Sequence, residues 1–294
     1  MAGGRKVLVI IDATHERHLA LERAVITSEI KDPDSHVHLF ISIDTEKTDL
    51  GADNESLYRD DAWLKSITDK LESVGAQASF ELCWSNEWQK AVLKSAQHFQ
   101  PDHIFMPDPQ DGKKSLFSNQ QWALLRTSVA PVTIVRSDAI KPRKKILAAV
   151  NIQKHDQPEY ARLNEKILTE GQSIANHYDA DFFVINAYKD NTEFPDRQKI
   201  MKISNLPTDR VHVEEGDPAS IISKYAKQIE ADTVLIGTLA RHGASALMKG
   251  NTSEKVLNKL DLDVIAYSCP GIHQSRRQPF AVFDSINKTC SISR

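Results

Sequence analysis

Three glycines, Gly237, Gly243 and Gly250, follow a short apolar run, Thr233-Val234-Leu235-Ile236. They lead into Asn251-Thr252-Ser253 and an amphipathic stretch carrying Val256, Leu257 and Leu260. A glycine loop that runs into a capped helix presents unpaired backbone N–H groups and the positive end of the helix dipole. That is the chemistry of anion binding, with phosphate the obvious guest. Arg241-His242 inside the loop reads equally as a guanidinium suited to phosphate and as a solvated loop tip. A plainer reading stays open beside it: the glycines only shape a long connection and Asn251 is only a cap, since glycine loops without tighter spacing say little. No Walker-type lysine follows the glycines, and Ser245 and Ser253 have no readable base-and-orienter arrangement, so catalysis is not supported.

Other residues with chemistry are weaker candidates. His36 and His38 share one face of a strand, as two metal ligands would. A zinc site needs further ligands at tetrahedral geometry, no cluster stands near them, and we read them as solvent-facing or capping, with no metal expected. The three cysteines, Cys83, Cys269 and Cys290, are odd in number and widely spaced, which suggests neither a disulfide framework nor a zinc site. Lys141, Arg143, Lys144 and Lys145 form a basic run of the kind that is usually exposed. Trp84 and Trp88 read as core or interdomain packing.

The elements that must position these residues alternate. Strands are expected at 6–12, 36–44, 77–84, 103–106 and 132–135, and helices at 14–30, 57–74 and 87–99, with a shorter one around Trp122, Leu124 and Leu125. The order then begins again at Lys144. A strand at 145–152 is followed by a helix at 163–178 and a strand at 180–188, and after a shorter segment near 192–204 come Val211 and Val213 in a further strand. Asp217-Pro218 has the form of an N-cap and a first helical residue, opening a helix with Ile221, Ile222, Tyr225 and Ala226 on one face. The offset between copies is 139 for Val7 against Ile146 and 132 for Asn119 against Asn251, so one domain has been duplicated. The join falls in the polar stretch 137–143, giving domains at 1–138 and 144–270 and a tail at 271–294 that has lost the pattern, apart from an isolated apolar run at 280–283.

Alternating apolar strands and long helices imply βαβ units and a mainly parallel five-stranded sheet in each half, in a doubly wound, flavodoxin-like or Rossmann-like arrangement. A length of 294 residues suits two such domains, and 40% hydrophobic with 26% charged residues describes a globular chain. The net charge of −3 argues against a dedicated nucleic-acid binder, and no apolar run is long enough to span a bilayer, so the cytoplasm is the expected location.

The series Val213-x2-Gly216-Asp217-Pro218-Ala219, then Ala231-Asp232-x-Val234-Leu235-Ile236-Gly237-Thr238, then Gly250-Asn251-Thr252-x-Glu254 resembles the C-terminal half of a universal stress protein domain. The likeness covers nearly the whole chain as two copies, is strongest over 215–254, and is similar to tandem, UspE-type members. It implies an adenine nucleotide alpha hydrolase-like fold in each half and a role in the bacterial stress response. ATP-binding members carry Gly-x2-Gly-x9-Gly-Ser/Thr, which here falls on Gly237, Ala240, Gly250 and Asn251, with two departures. Ala240 brings a Cβ where backbone approach favours none, and Asn251 replaces a hydroxyl by an amide. Those members also hold the nucleotide with an acid after the first strand. The first copy keeps it as Asp12 but has lost the loop, and the second keeps most of the loop but has Asn151.

The resemblance therefore implies ATP or another small anionic ligand in the second half only. Gly237, Ala240, Arg241, Gly250, Asn251, Thr252 and Ser253 would lie on its phosphate or ribose side, with Asn151 and the backbone near Ala187 toward the base. A ligand-free interaction protein of the same fold is the alternative, and a weak ATPase a second. Members commonly dimerise through the last strand, so 132–135 and 263–267 are expected to pair as an intrachain pseudo-dimer or to serve a homodimer.

Overall fold

The computed structural model describes residues 4–15, 17–43, 61–108, 119–189, 194–239, 252–269 and 290–291. β1 (Lys6–Asp12) is apolar and buried between its ends, as a parallel strand covered by helices on both faces must be. β2 (His36–Ile43) and β3 (Gln77–Trp84) follow on one side of it, and β4 (His103–Pro107) and β5 (Val132–Val135) on the other, all parallel. The second half repeats this. β6 (Lys145–Ala149) has β7 (Asp181–Tyr188) and β8 (Val211–Glu215) on one side, and β9 (Thr233–Leu239) and β10 (Asp263–Cys269) on the other. The helices are α1 (Leu19–Lys31), α2 (Asp61–Glu72), α3 (Trp88–Phe99), α4 (Asn119–Thr127), α5 (Pro158–Tyr178), α6 (Arg197–Ser204), α7 (Pro218–Gln228) and α8 (Thr252–Lys259).

The five-stranded arrangements expected of the two halves join into one sheet at the edges 132–135 and 263–267. β5 and β10 pair antiparallel, with Thr133 opposite Ile265. These residues are separated by the same 132 positions as Asn119 and Asn251, so equivalent positions meet on a local two-fold axis. Each strand would otherwise present a row of unpaired backbone groups, and pairing removes both edges at once. From the tail, β11 (Cys290–Ser291) adds antiparallel to β3, completing an 11-stranded sheet. The apolar run at 280–283 lies outside the described residues.

The two faces of the sheet are packed differently. On one, a single cluster runs through both halves and includes Leu8, Phe40, Ile134, Leu147, Val234 and Val264. Helix α4 of the first half helps to join it, because the Thr238 hydroxyl donates to the Leu125 carbonyl at 3.0 Å and Arg126 pairs with Glu254. Reciprocally, Arg136 Nη1 donates to the carbonyls of Leu257 and Leu260, each at 2.6 Å, at the end of α8. On the other face there are two clusters, one beneath α1 and α2 and one beneath α5 and α6. Between them runs a polar seam.

Asp263 anchors that seam at 0% exposure. Its Oδ1 accepts from the backbone N–H of Arg136 at 3.0 Å and of Ser137 at 3.2 Å. Its Oδ2 lies 2.9 Å from Arg23 Nε and 3.4 Å from Arg143 Nη2. Burial, and then the like charge of Arg143, lower the Arg23 guanidinium from its ordinary range, with Asp263 opposing them. Arg143 is therefore no exposed member of a basic run, as the sequence suggests; it is 2% exposed, while Lys141 two residues earlier stays in solvent.

Several boundaries differ from expectation for local reasons. Helix α1 starts five residues late because the Asp12 carboxylate holds a turn, accepting from the Thr14 N–H at 2.9 Å and hydroxyl at 2.6 Å. Helix α5 starts five residues early, with Pro158 in its first turn. Helix α6 falls in the shorter segment near 192–204, to which the sequence assigns no element, and Asp196 caps it by accepting from the N–H groups of Gln198 and Lys199. His36 and His38 are neither capping nor fully in solvent: both bond to Ser79 Oγ, at 2.8 and 2.9 Å, and lie against the Phe99 ring. Trp88 packs against the shared cluster, whereas Trp84 is 37% exposed.

Candidate functional site

In the second half the chain reverses its direction of travel across the sheet at β6, since β7 and β8 lie to one side and β9 and β10 to the other. In open α/β sheets the crevice beyond the carboxyl ends of the strands at such a reversal is where ligands sit. A cavity of about 310 Å³ occupies it here. Asn151 just past β6, Ala187 near the end of β7, Gly237 in β9, and Thr252 and Ser253 in the first turn of α8 all line it. These are the described members of the predicted site; Ala240, Arg241, Gly250 and Asn251 lie outside the described residues.

The cavity is held in shape by side-chain amides. Asn164 on α5 grips the backbone of Asn151 in both directions, its Oδ1 accepting from the Asn151 N–H at 3.0 Å and its Nδ2 donating to the Asn151 carbonyl at 2.9 Å. Asn186, at 0% exposure within β7, accepts from the Ile152 N–H at 2.8 Å. Gln153 Nε2 donates to the Ala187 carbonyl at 2.8 Å. Opposite, the Ser253 hydroxyl donates to the Gly237 carbonyl, also at 2.8 Å, tying the start of α8 to β9. This leaves Asn151 Oδ1 and Gln153 Oε1 buried with no donor among the described residues. Buried acceptors of this kind call for an N–H, an O–H or an ordered water. Lys154 and Lys189 also line the cavity, so cations stand beside the unsatisfied acceptors.

Gly237 has a structural role as well. A Cβ there would stand 2.4 Å from Leu163 Cδ2 and 2.8 Å from its Cγ, so the missing side chain lets α5 lie close against β9. The corresponding crevice of the first half is different. Asp12 Oδ1 is taken up by its own turn, Asp12 Oδ2 lies 3.4 Å from His15 Nδ1, and the segment 109–118 is outside the described residues. Nearby, Asp108 Oδ2 is 3.0 Å from Arg136 Nε; burial raises that carboxyl, against the pull of Arg136.

Asn164, Gln153 and Asn186 are the site residues that reading the sequence misses. Two carried a signal. Asn164 sits among Leu163, Ile167 and Leu168 on the buried face of α5, and Asn186 interrupts an apolar strand; a polar residue in either place needs a specific partner. Among the described residues no group of three or more His, Cys, Asp or Glu is arranged to hold a metal, and no helix is long and apolar enough to cross a membrane.

Comparison with known proteins bears on the whole chain. Residues 186–268 match the model of the universal stress protein family. Universal stress protein E homolog of Haemophilus influenzae is 24% identical, the match covering 89% of this chain and 96% of that protein. Universal stress protein E of Escherichia coli K12 is 25% identical over 90% and 94% of the two chains. Among solved structures, a protein of unknown function from Pseudomonas aeruginosa PAO1 is 26% identical with a TM-score of 0.74, covering 90% of this chain and 92% of that one. A universal stress protein from Archaeoglobus fulgidus shares the fold, with a TM-score of 0.68 at 17% identity over 90% of this chain and 98% of that one. With a family domain matched in its second half, the same element order run twice, and likeness to Universal stress protein E along both halves, the chain is similar to the tandem, UspE-like members of the universal stress protein family.

Proposed function

We propose that this chain is a cytoplasmic stress-response protein that binds ATP, or another small anionic ligand of nucleotide type, in its second half. The observation that carries the reading is the crevice at β6: predicted residues from three strands and a helix start line one cavity, where the side-chain amide oxygens of Asn151 and Gln153 have no donor among the described residues and Lys154 and Lys189 also line the space. A base with an amino group, or a ribose hydroxyl, supplies donors for the first pair, and a phosphate supplies the charge for the second. Binding without turnover is the activity we assign.

A ligand-free interaction protein is the second reading, and two bonds favour it. Gln153 already occupies the Ala187 carbonyl, and Ser253 already donates to Gly237, so two groups offered to a nucleotide are engaged within the chain. The experiment is to denature protein purified without added nucleotide, identify released small molecules by mass spectrometry, and measure the rise in melting temperature with ATP. Ala187→Trp, which fills the cavity, serves as the control. A released nucleotide or anion that the variant loses supports the first reading. No release, with no ATP-dependent rise, supports the second.

A further inference from the structure

A second cavity, of about 420 Å³, shares no lining residue with the crevice at β6. It lies in the polar seam between α1 and α5, where β1, β4 and β5 begin and β10 ends. Both halves build it. Phe105 from β4 and Ile265 and Tyr267 from β10 form an apolar wall, each 1% exposed.

Four cations line the same space: Arg5 ahead of β1, Lys31 at the end of α1, Arg143 after the join, and Lys166 on α5. Arg143 is 2% exposed, its Nη2 reaches Asp263 at 3.4 Å, and its buried Nε has no acceptor among the described residues. Among the described residues no carboxylate forms a salt bridge with Arg5, Lys31 or Lys166; the Lys166 ammonium donates to the Val129 carbonyl at 3.5 Å and lies over the Tyr267 ring. Of the acids at the cavity, Asp32 accepts from the Arg5 backbone N–H at 2.7 Å and Asp102 from that of Lys6 at 2.9 Å. Glu170 is the remaining acid. Burial, and then the like charge of Arg5, lower the Lys31 ammonium to about 8, with Glu170 opposing.

A buried guanidinium N–H without an acceptor, in a space walled by apolar groups and lined by further cations, is incomplete by itself. We propose that the seam cavity binds a small organic anion, whose acidic group sits among Arg5, Lys31, Arg143 and Lys166 and whose apolar body lies against Phe105, Ile265 and Tyr267. The volume falls within the range of cavities that take small organic molecules. The site exists only where the halves meet, so its ligand stabilises their association. This does not rest on the reading of the crevice at β6.

Isothermal titration of the full chain with phenyl phosphate tests it, with inorganic phosphate and phenol as controls. One phenyl phosphate per chain is expected to bind saturably, more tightly than inorganic phosphate, with no saturable binding of phenol. The double variant Lys31→Met/Lys166→Met leaves the Asp263 cluster intact and is expected to weaken binding by about tenfold or more. Ala187→Trp is expected to leave it unchanged. Circular dichroism and melting of each variant establish that it is folded; if the double variant is not, Arg5→Gln takes its place with the same expectation. Absence of saturable binding, affinity unaffected by the loss of the cations, affinity no better than that of inorganic phosphate, or loss of binding in Ala187→Trp would each overturn the proposal.

Discussion

A single residue can carry more than one demand, and Gly237 shows how unevenly these are visible. As a glycine opening a loop after an apolar strand it stands out in the sequence, and a ligand is the natural explanation. Its contact with Leu163 does not stand out, because the two are distant in the chain and come together only when α5 crosses the sheet. Asn151 was legible as the place of a missing acid, while the amide of Asn164 that fixes its backbone was not. His103 gives a prediction at the same scale. Burial, then the charges of Lys31, Arg143 and Arg5, lower its pKa to about 3, and its Nε2 lies 2.6 Å from Thr133 Oγ1. In the unfolded chain the ring binds a proton near its ordinary pKa of about 6.5. The unfolded state therefore takes up the proton first, and stability is lost as pH falls from about 6.5 toward about 3, with a slope from this group of at most about 1.4 kcal/mol per pH unit. Urea midpoints measured at pH 7 and 5 should fall less for His103→Gln than for the parent chain; equal falls would show that other groups govern acid unfolding.

Elements were read better than their ends. β1, β3 and β5 are read at their observed bounds; β1 and β5 are buried strands that leave a nearly continuous apolar run, whereas β3 is mostly half-buried. Periodicity misses α6, eight residues long, whose signal is the Asp196 cap more than its apolar face. What no periodicity shows is the charge that joins elements. Asp263 at the start of β10 receives Arg23 from α1, Arg143 from the segment after β5, and two backbone N–H groups. Asp263→Asn would leave two nearly buried guanidinium groups without their counter-charge, and we expect a loss of about 3–5 kcal/mol. Urea unfolding measures it, and a loss below about 1 kcal/mol would mean that the arginines find other partners or water.

For the whole molecule, duplication was legible in the repeated element order and the joining edges in the resemblance, but the merging of cores was not. The cluster on one face draws on both halves, and α4 and α8 each reach across. A chain cut within 137–143, through an inserted protease site, should thus keep its fragments together on gel filtration. Their separation would show that the antiparallel pairing of β5 with β10 and the shared cluster are too weak to hold the halves alone.

The same antiparallel pairing points the carboxyl ends of the two sets of strands toward opposite rims of the sheet. The crevice beyond β1 and the crevice beyond β6 therefore open away from each other, and they cannot merge into one composite site. Each could change in the course of descent without constraint from its twin. The sequence carries that independence: one copy retains an acid with no glycine loop, the other a glycine loop with asparagine in the place of the acid.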